Sequence, residues 1–354
     1  VRADFLRQLG ATLADDGIPL HFGDQAAEYA AALNTAVLME RSHEGRLSLR
    51  GDDRLAFVQR MSTNDVLKLS ANQATPTIFT NPVGRVIDRV TLVNRAEDAL
   101  LLAEPGRAAP LHAYLQRQIF FNDAVQIHDL APETRQFVLL GPAADAVAAA
   151  LGLPADAGEM RGAWVNIADT ALYAVRVKPL SGAQWVLLVP TNYAEAVFDA
   201  VLRAGADDGL RPAGSLTYHL VRVRAGRPGV GRELSTDYIP LEIGLWDEVS
   251  FGKGCYTGQE IIARMESRHK LAKTIVQISL DAPVDTPVPL TLNGREVGTL
   301  TSCAAAPDAF VYGIGIVKLA AAVRGTVLEA GGVRATILQL AGAQPPELTQ
   351  DDGS

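Results

Sequence analysis

The chain has 354 residues, of which 48% are hydrophobic, and a formal net charge of −8. Its mean hydropathy is +0.11 and its isoelectric point about 5.3. This length and apolar content predict two or three packed units and exclude a disordered chain. The acidic balance speaks against a surface built for nucleic acid, no run approaches twenty uninterrupted apolar residues, and two cysteines do not make a secreted disulfide scaffold. A cytoplasmic protein without membrane segments or direct nucleic-acid contacts is the expectation.

Asp24 can cap a helix running to about residue 39, with Tyr29, Leu33 and Val37 on its apolar face. Residues 46–50 alternate as a short strand, and Asp52 or Asp53 then caps a helix carrying Leu55, Phe57, Val58 and Met61. Residues 75–80 and 85–93 flank Asn81-Pro82-Val83-Gly84, where proline second and glycine fourth suit a type I turn, so a β-hairpin is predicted. A strand at 99–103 and a helix at 108–118 follow, then strands at 125–130 and 136–140 and an alanine-rich helix at 143–151. Strands at 163–167, 172–177 and 185–189 lead to a helix at 193–204, and Ser215 can cap the next, through Leu220 to Arg224. Strands and helices alternate without the strict period of a doubly wound sheet, which gives the α+β class.

Beyond residue 272 the character changes. Strands at 274–280, 288–292, 296–301, 311–317, 326–328 and 333–340, with Asn293-Gly294 and Gly331-Gly332 as tight-hairpin signals, predict a small C-terminal β-barrel over 272–343. Residues 344–354, rich in proline and acids, read as a disordered tail.

The chemistry concentrates in Lys253-Gly254-Cys255-Tyr256-Thr257-Gly258-Gln259-Glu260. Cys255 lies close to glycines, with a lysine two residues before it. Thr257 and Glu260 have the spacing of a capping box, and Ile261, Ile262 and Met265 continue at helical spacing. A cation and a helix start both favour thiolate, so Cys255 is either a reactive thiol or a small filler at a tight turn. Arg264, Arg268, His269, Lys270 and Lys273 form either a solvated helix face or a basic patch. Trp185 reads as core and Cys303 as a buried barrel residue; no metal site is expected.

Four stretches resemble the GcvT superfamily, typified by the aminomethyltransferase (T-protein) of glycine cleavage. They are His21-Phe22-Gly23-Asp24 through Glu28-Tyr29; Gly51-Asp52-Asp53-Arg54 to Gln59-Arg60-Met61-Ser62-Thr63-Asn64-Asp65-Val66; Asn81-Pro82-Val83-Gly84-Arg85-Val86-Ile87-Asp88; and Glu296-Val297-Gly298-Thr299-Leu300-Thr301-Ser302. Within it, the octapeptide 253–260 is similar to the signature of the YgfZ branch, folate-binding proteins that support iron–sulfur enzymes and tRNA modification. The resemblance implies three subdomains in a cloverleaf around a central folate channel, with residues 1–271 as a folate-binding region of two α+β subdomains and 272–343 as the barrel.

It also implies tetrahydrofolate or a one-carbon derivative as ligand, iron–sulfur client or assembly proteins as partners, and Cys255 and Asp88 as reacting groups. Lys253, Tyr256, Gln259, Glu260, Arg222, Gln184 and Glu242 are the residues implied around the folate. The chain departs from aminomethyltransferases at three places: Arg89 stands where a second acid follows Asp88, Gln184 where a glutamate grips the pterin, and Arg224 where an acid follows Arg222. The Arg222, Arg224 and Arg227 trio is read as holding the folate tail or bridging subdomains. The leading reading is a folate-binding accessory protein of iron–sulfur enzymes. The alternatives are a folate-dependent aminomethyltransferase, or a related methylamine demethylase, and a binding module without chemistry.

Overall fold

The computed structural model describes residues 1–267 and 271–345. Arg268, His269 and Lys270 of the basic run, and all of the expected tail beyond Pro345, lie outside the described residues. The chain divides into two compact units, one of Val1–Phe57, Val66–Thr75 and Val90–Val221, the other of Val58–Asp65, Pro76–Arg89 and Arg222–Ser354. The class is mixed α+β, with a closed six-stranded barrel at the C-terminal end.

The first unit is built on a six-stranded sheet in the order Arg161–Ile167, Thr170–Val177, Ala183–Pro190, Thr134–Gly141, Val37–Glu40, Arg211–Pro212. Only the last pair is parallel. The helix Ala194–Ala204 buries Ala194, Val197, Phe198 and Val201, the spacing of one helical face. That face joins Phe137, Leu139, Trp185 and Leu187 in one core, with Phe137 and Phe198 edge to face at 5.1 Å. Trp185 is core, as expected, and its indole N–H donates to Asp145 at 2.9 Å. A second sheet of this unit places Glu44–Arg50 between Ala99–Pro105 and Gln126–Asp129.

Asp24 does cap its helix, its carboxylate accepting from the Ala27 N–H at 2.9 Å, but the helix is Gln25–Asn34 and stops short of the expected residue 39. Thr35 leaves helical geometry, and Val37, Leu38 and Met39 enter the sheet between Thr134–Gly141 and Arg211–Pro212 with no exposure on either face. A run buried on both sides carries no alternation, so periodicity extended the helix through it.

In the second unit the barrel runs in the order Lys273–Leu280, Val311–Lys318, Arg295–Ala305, Val288–Leu292, Val327–Ala330, Val333–Leu340 and closes by pairing the last strand with the first. All six expected strands are present. Their inward residues, including Val276, Ile278, Leu290, Leu300 and Ile337, fill the interior. Asn293 and Gly294 both have positive φ, 52° and 73°, as a type I′ hairpin turn requires. The dividing points between units fall inside the helices Arg54–Met61 and Ser215–Arg224, inside the strands Ala74–Thr80 and Val86–Asn94, and after Asp65.

Candidate functional site

The segment 248–259 is held against residues 59–64 and the Asn81 turn at several points, all within the second unit. The Thr63 hydroxyl donates to the Glu248 carbonyl at 2.7 Å, and the Ser250 N–H donates back to the Thr63 carbonyl at 3.0 Å. Farther along, the Thr257 N–H donates to the Arg60 carbonyl, and the Thr80 hydroxyl donates to the Thr257 carbonyl at 2.6 Å. Between these clamps Phe251, Gly252, Gly254 and Cys255 are exposed, whereas Lys253 keeps 8% of its surface.

The Lys253 ammonium donates to the carbonyls of Gln59, Ser62 and Asn64 at 2.7, 2.6 and 2.7 Å. These carbonyls end the helix Arg54–Met61 and begin the loop after it, where backbone acceptors lack intrahelical donors. The charge also sits 5.1 Å from the centre of the Tyr256 ring. Burial pulls the amine down to about 8, against the opposing pull of Asp65, and pushes the Tyr256 phenol up to about 12. All three N–H groups are taken up by backbone carbonyls.

The capping box is corrected. The helix is Gln259–Ser267, with Gly258 (φ +84°) immediately before it, so Thr257 falls outside the cap position. The Thr257 backbone is drawn onto Arg60 and Thr80, and the exposed Glu260 carboxylate pairs with Arg264 at 2.7 Å. Ile262 is fully buried and packs with Tyr256, Ile239, Leu241 and Val249, while Gln259 is half-buried.

Asp88 is 2% exposed, and one carboxylate oxygen accepts the Arg89 N–H at 2.9 Å. Arg89, at the position of the missing second acid, grips Glu248 through bonds of 2.7 and 2.6 Å. Asp88 and the Cys255 loop are therefore connected through Arg89, Glu248 and Thr63. Glu248 was not singled out from the sequence. The available signal was Arg89 itself, since a cation in an apolar strand needs a buried counter-charge.

Glu242, the alternative pterin acid, accepts the Ile239 N–H at 3.1 Å and pairs with Arg85 at 3.3 Å, holding the short turn Pro240–Ile243. Arg222 is 7% exposed and donates to the Arg227 carbonyl, Glu233 and Ser302 at 2.7, 3.3 and 3.0 Å. Glu233, fully buried, also accepts from the Gly229 N–H, Ser302 and Thr301. Of the two roles open to Arg222, these contacts are those of a bridge to the barrel. Arg224 lies over the Tyr312 ring at 5.5 Å.

Gln184 belongs to the first unit; it is 7% exposed and its side-chain oxygen accepts the Leu180 N–H at 3.2 Å. Cys303 is half-buried in a barrel strand, and burial raises its thiol. Among the described residues, no cluster of three or more His, Cys, Asp or Glu is placed to hold a metal ion, and no helix is long and apolar enough to cross a membrane.

Within the second unit, the side chains expected around a folate include a buried carboxylate at Asp88 and a buried aromatic ring at Tyr256. Arg222 and Lys253 are both engaged with protein acceptors.

An α+β chain with a closed C-terminal barrel and a hairpin-borne buried aspartate thus defines the class of protein. The sequence profile of the GCVT N-terminal domain matches residues 13–253, and the chain belongs to that family. It is 31% identical over 353 residues to the putative transferase At1g60990, chloroplastic, of Arabidopsis thaliana, covering 97% of this chain and 81% of the relative. It is 28% identical to an aminomethyltransferase of Caldanaerobacter subterraneus subsp. tengcongensis, over 71% of this chain and 68% of the relative. The crystal structure of glycine cleavage system aminomethyltransferase T from Bartonella henselae has the same fold, with a TM-score of 0.83 at 22% identity and 95% of each chain covered.

Proposed function

We propose that this chain binds tetrahydrofolate or a one-carbon derivative and acts as a YgfZ-branch accessory protein in the assembly or repair of iron–sulfur enzymes, and through them in tRNA modification, with Cys255 as its working thiol. The observation that carries this reading is the loop 251–255, which exposes Cys255 while the lysine two residues earlier is buried as an anchor. The Arg89–Glu248 pair supports the same reading, because it replaces the second acid of an aminomethyl-transfer site with a neutralised ion pair.

The test is complementation of a strain lacking the gene. Cys255→Ala is expected to lose rescue of iron–sulfur enzyme activity while calorimetry still detects tetrahydrofolate binding. Full rescue by Cys255→Ala would overturn the role of the thiol, and absence of folate binding by the wild-type protein would overturn the ligand.

Asp88 favours a second reading, a folate-dependent aminomethyltransferase, the activity named for several relatives. It requires turnover of an aminomethylated carrier or methylamine donor that is lost in Asp88→Asn. No folate-dependent turnover by purified protein would reject it.

A further inference from the structure

We propose that Lys253 is the positioning residue of the Cys255 loop: its ammonium fixes where the thiol stands by joining the loop to the C-terminal end of the helix Arg54–Met61. Three observations converge on this. The three acceptors, Gln59, Ser62 and Asn64, lie in a single stretch of six residues and all point at one nitrogen at 2.6–2.7 Å, the short distance of charge-assisted bonds. Lys253 is buried while its neighbours on both sides are exposed, and glycines at 252 and 254 have nothing within 4 Å of where a Cβ would stand. Side-chain packing therefore does not hold these positions. The backbone clamps lie at Glu248–Ser250 and at Thr257, and side-chain contacts hold Phe251 (against Trp246) and Tyr256, which leaves Lys253 as the attachment of the stretch 252–255 that carries the thiol.

The geometry requires three N–H donors on one tetrahedral centre. A guanidinium is planar and points its donors outward in a fork, so arginine does not reproduce the arrangement. Asp65 and the Tyr256 ring are the charged and titratable groups nearest the amine, and the Asp65 carboxylate is itself bonded to the Gln59 side chain at 3.1 Å. Neither replaces the ammonium as a donor to the carbonyls.

The functional consequence rests on the reading of Cys255 as the working thiol, but the test reads the loop. Amide exchange of Lys253→Ala is expected to show protection of the flanking Ser250 and Thr257 N–H groups, which donate to Thr63 and Arg60, falling about tenfold or more, with the barrel unchanged. Ethylammonium should restore it and tetramethylammonium, which has no N–H, should not. Exchange equal to wild type, or equal rescue by both cations, would overturn the proposal. Should Lys253→Ala fail to fold, the wild-type protein decides. A slowly exchanging Lys253 ammonium resonance, coupled to the carbonyl carbons of residues 59, 62 and 64, is expected, and a rapidly exchanging one would overturn the proposal. Loss of loop protection together with full activity of Cys255→Ala would leave the positioning role standing and remove only the role of the thiol.

Discussion

Arg89 and Glu248 form a bidentate ion pair, 2.7 and 2.6 Å, with 5% and 2% of their side chains exposed. Removing one member leaves the other charge buried and unpaired. Glu248→Leu is expected to cost about 3–5 kcal/mol, and Arg89→Met with Glu248→Leu together much less than those two single changes summed. Urea denaturation of the four proteins measures the coupling, and additive losses would show that the pair does not act as a unit.

His43 sets an acid limit on the first unit. Its Nδ1 is buried without a partner, and burial, reinforced by the Arg41 charge, holds the imidazole down at about 3. The unfolded chain binds that proton near its ordinary 6.5, so below pH 6.5 protonation favours unfolding. Stability should therefore fall as pH drops from about 6.5 toward about 3. His43→Gln should remove one proton's worth of slope from that window; an unchanged slope in denaturation midpoints taken from pH 7 to pH 4 would exclude His43 as the source.

The two glycines inside the octapeptide should behave differently. A Cβ on Gly258, whose φ is +84°, would stand 2.5 Å from the Asn81 carbonyl oxygen and 2.9 Å from the Gly84 Cα, both backbone atoms. A Cβ on Gly254 would meet nothing within 4 Å. Gly258→Ala should cost more than about 2 kcal/mol, and Gly254→Ala should stay within about 0.5 kcal/mol. Equal midpoints for the two variants would refute the steric account.

Both thiols are free, one exposed and one half-buried. An aromatic disulfide reagent at pH 8 should label Cys255 rapidly and Cys303 slowly, because burial both shields the barrel thiol and keeps it protonated. Cys255→Ser should remove the fast phase, as followed by absorbance and intact mass. A fast phase that persists in this variant would contradict the exposure of Cys255.

The barrel was legible strand by strand, because tight turns at Asn293-Gly294 and Gly331-Gly332 set register locally. The hairpin around Asn81 was legible for the same reason. The strand Val37–Glu40 was not, since a doubly buried strand and a helix end share one apolar run. Lys253 was recognised as unusual but read toward its sequence neighbour Cys255, whereas its acceptors lie at 59–64. Arg222 was read as a tail-holding or bridging cation, and its partner Glu233 was not foreseen. Periodicity identifies elements, but the partner of a buried charge belongs to a distant segment and leaves no local trace.

The acceptors of the Lys253 ammonium precede it by 194, 191 and 189 positions. A ribosome adding about 5–20 residues per second needs about 10–40 s to make that intervening chain. Throughout this interval the three carbonyls lack their ammonium partner, so the thiol acquires its final surroundings only late in translation. Chain termination anywhere before residue 253 therefore yields a product with the acceptors but no anchor, and a fragment beginning after residue 64 yields the converse. The octapeptide is thus local in sequence, yet its shape depends on both segments being present in one chain.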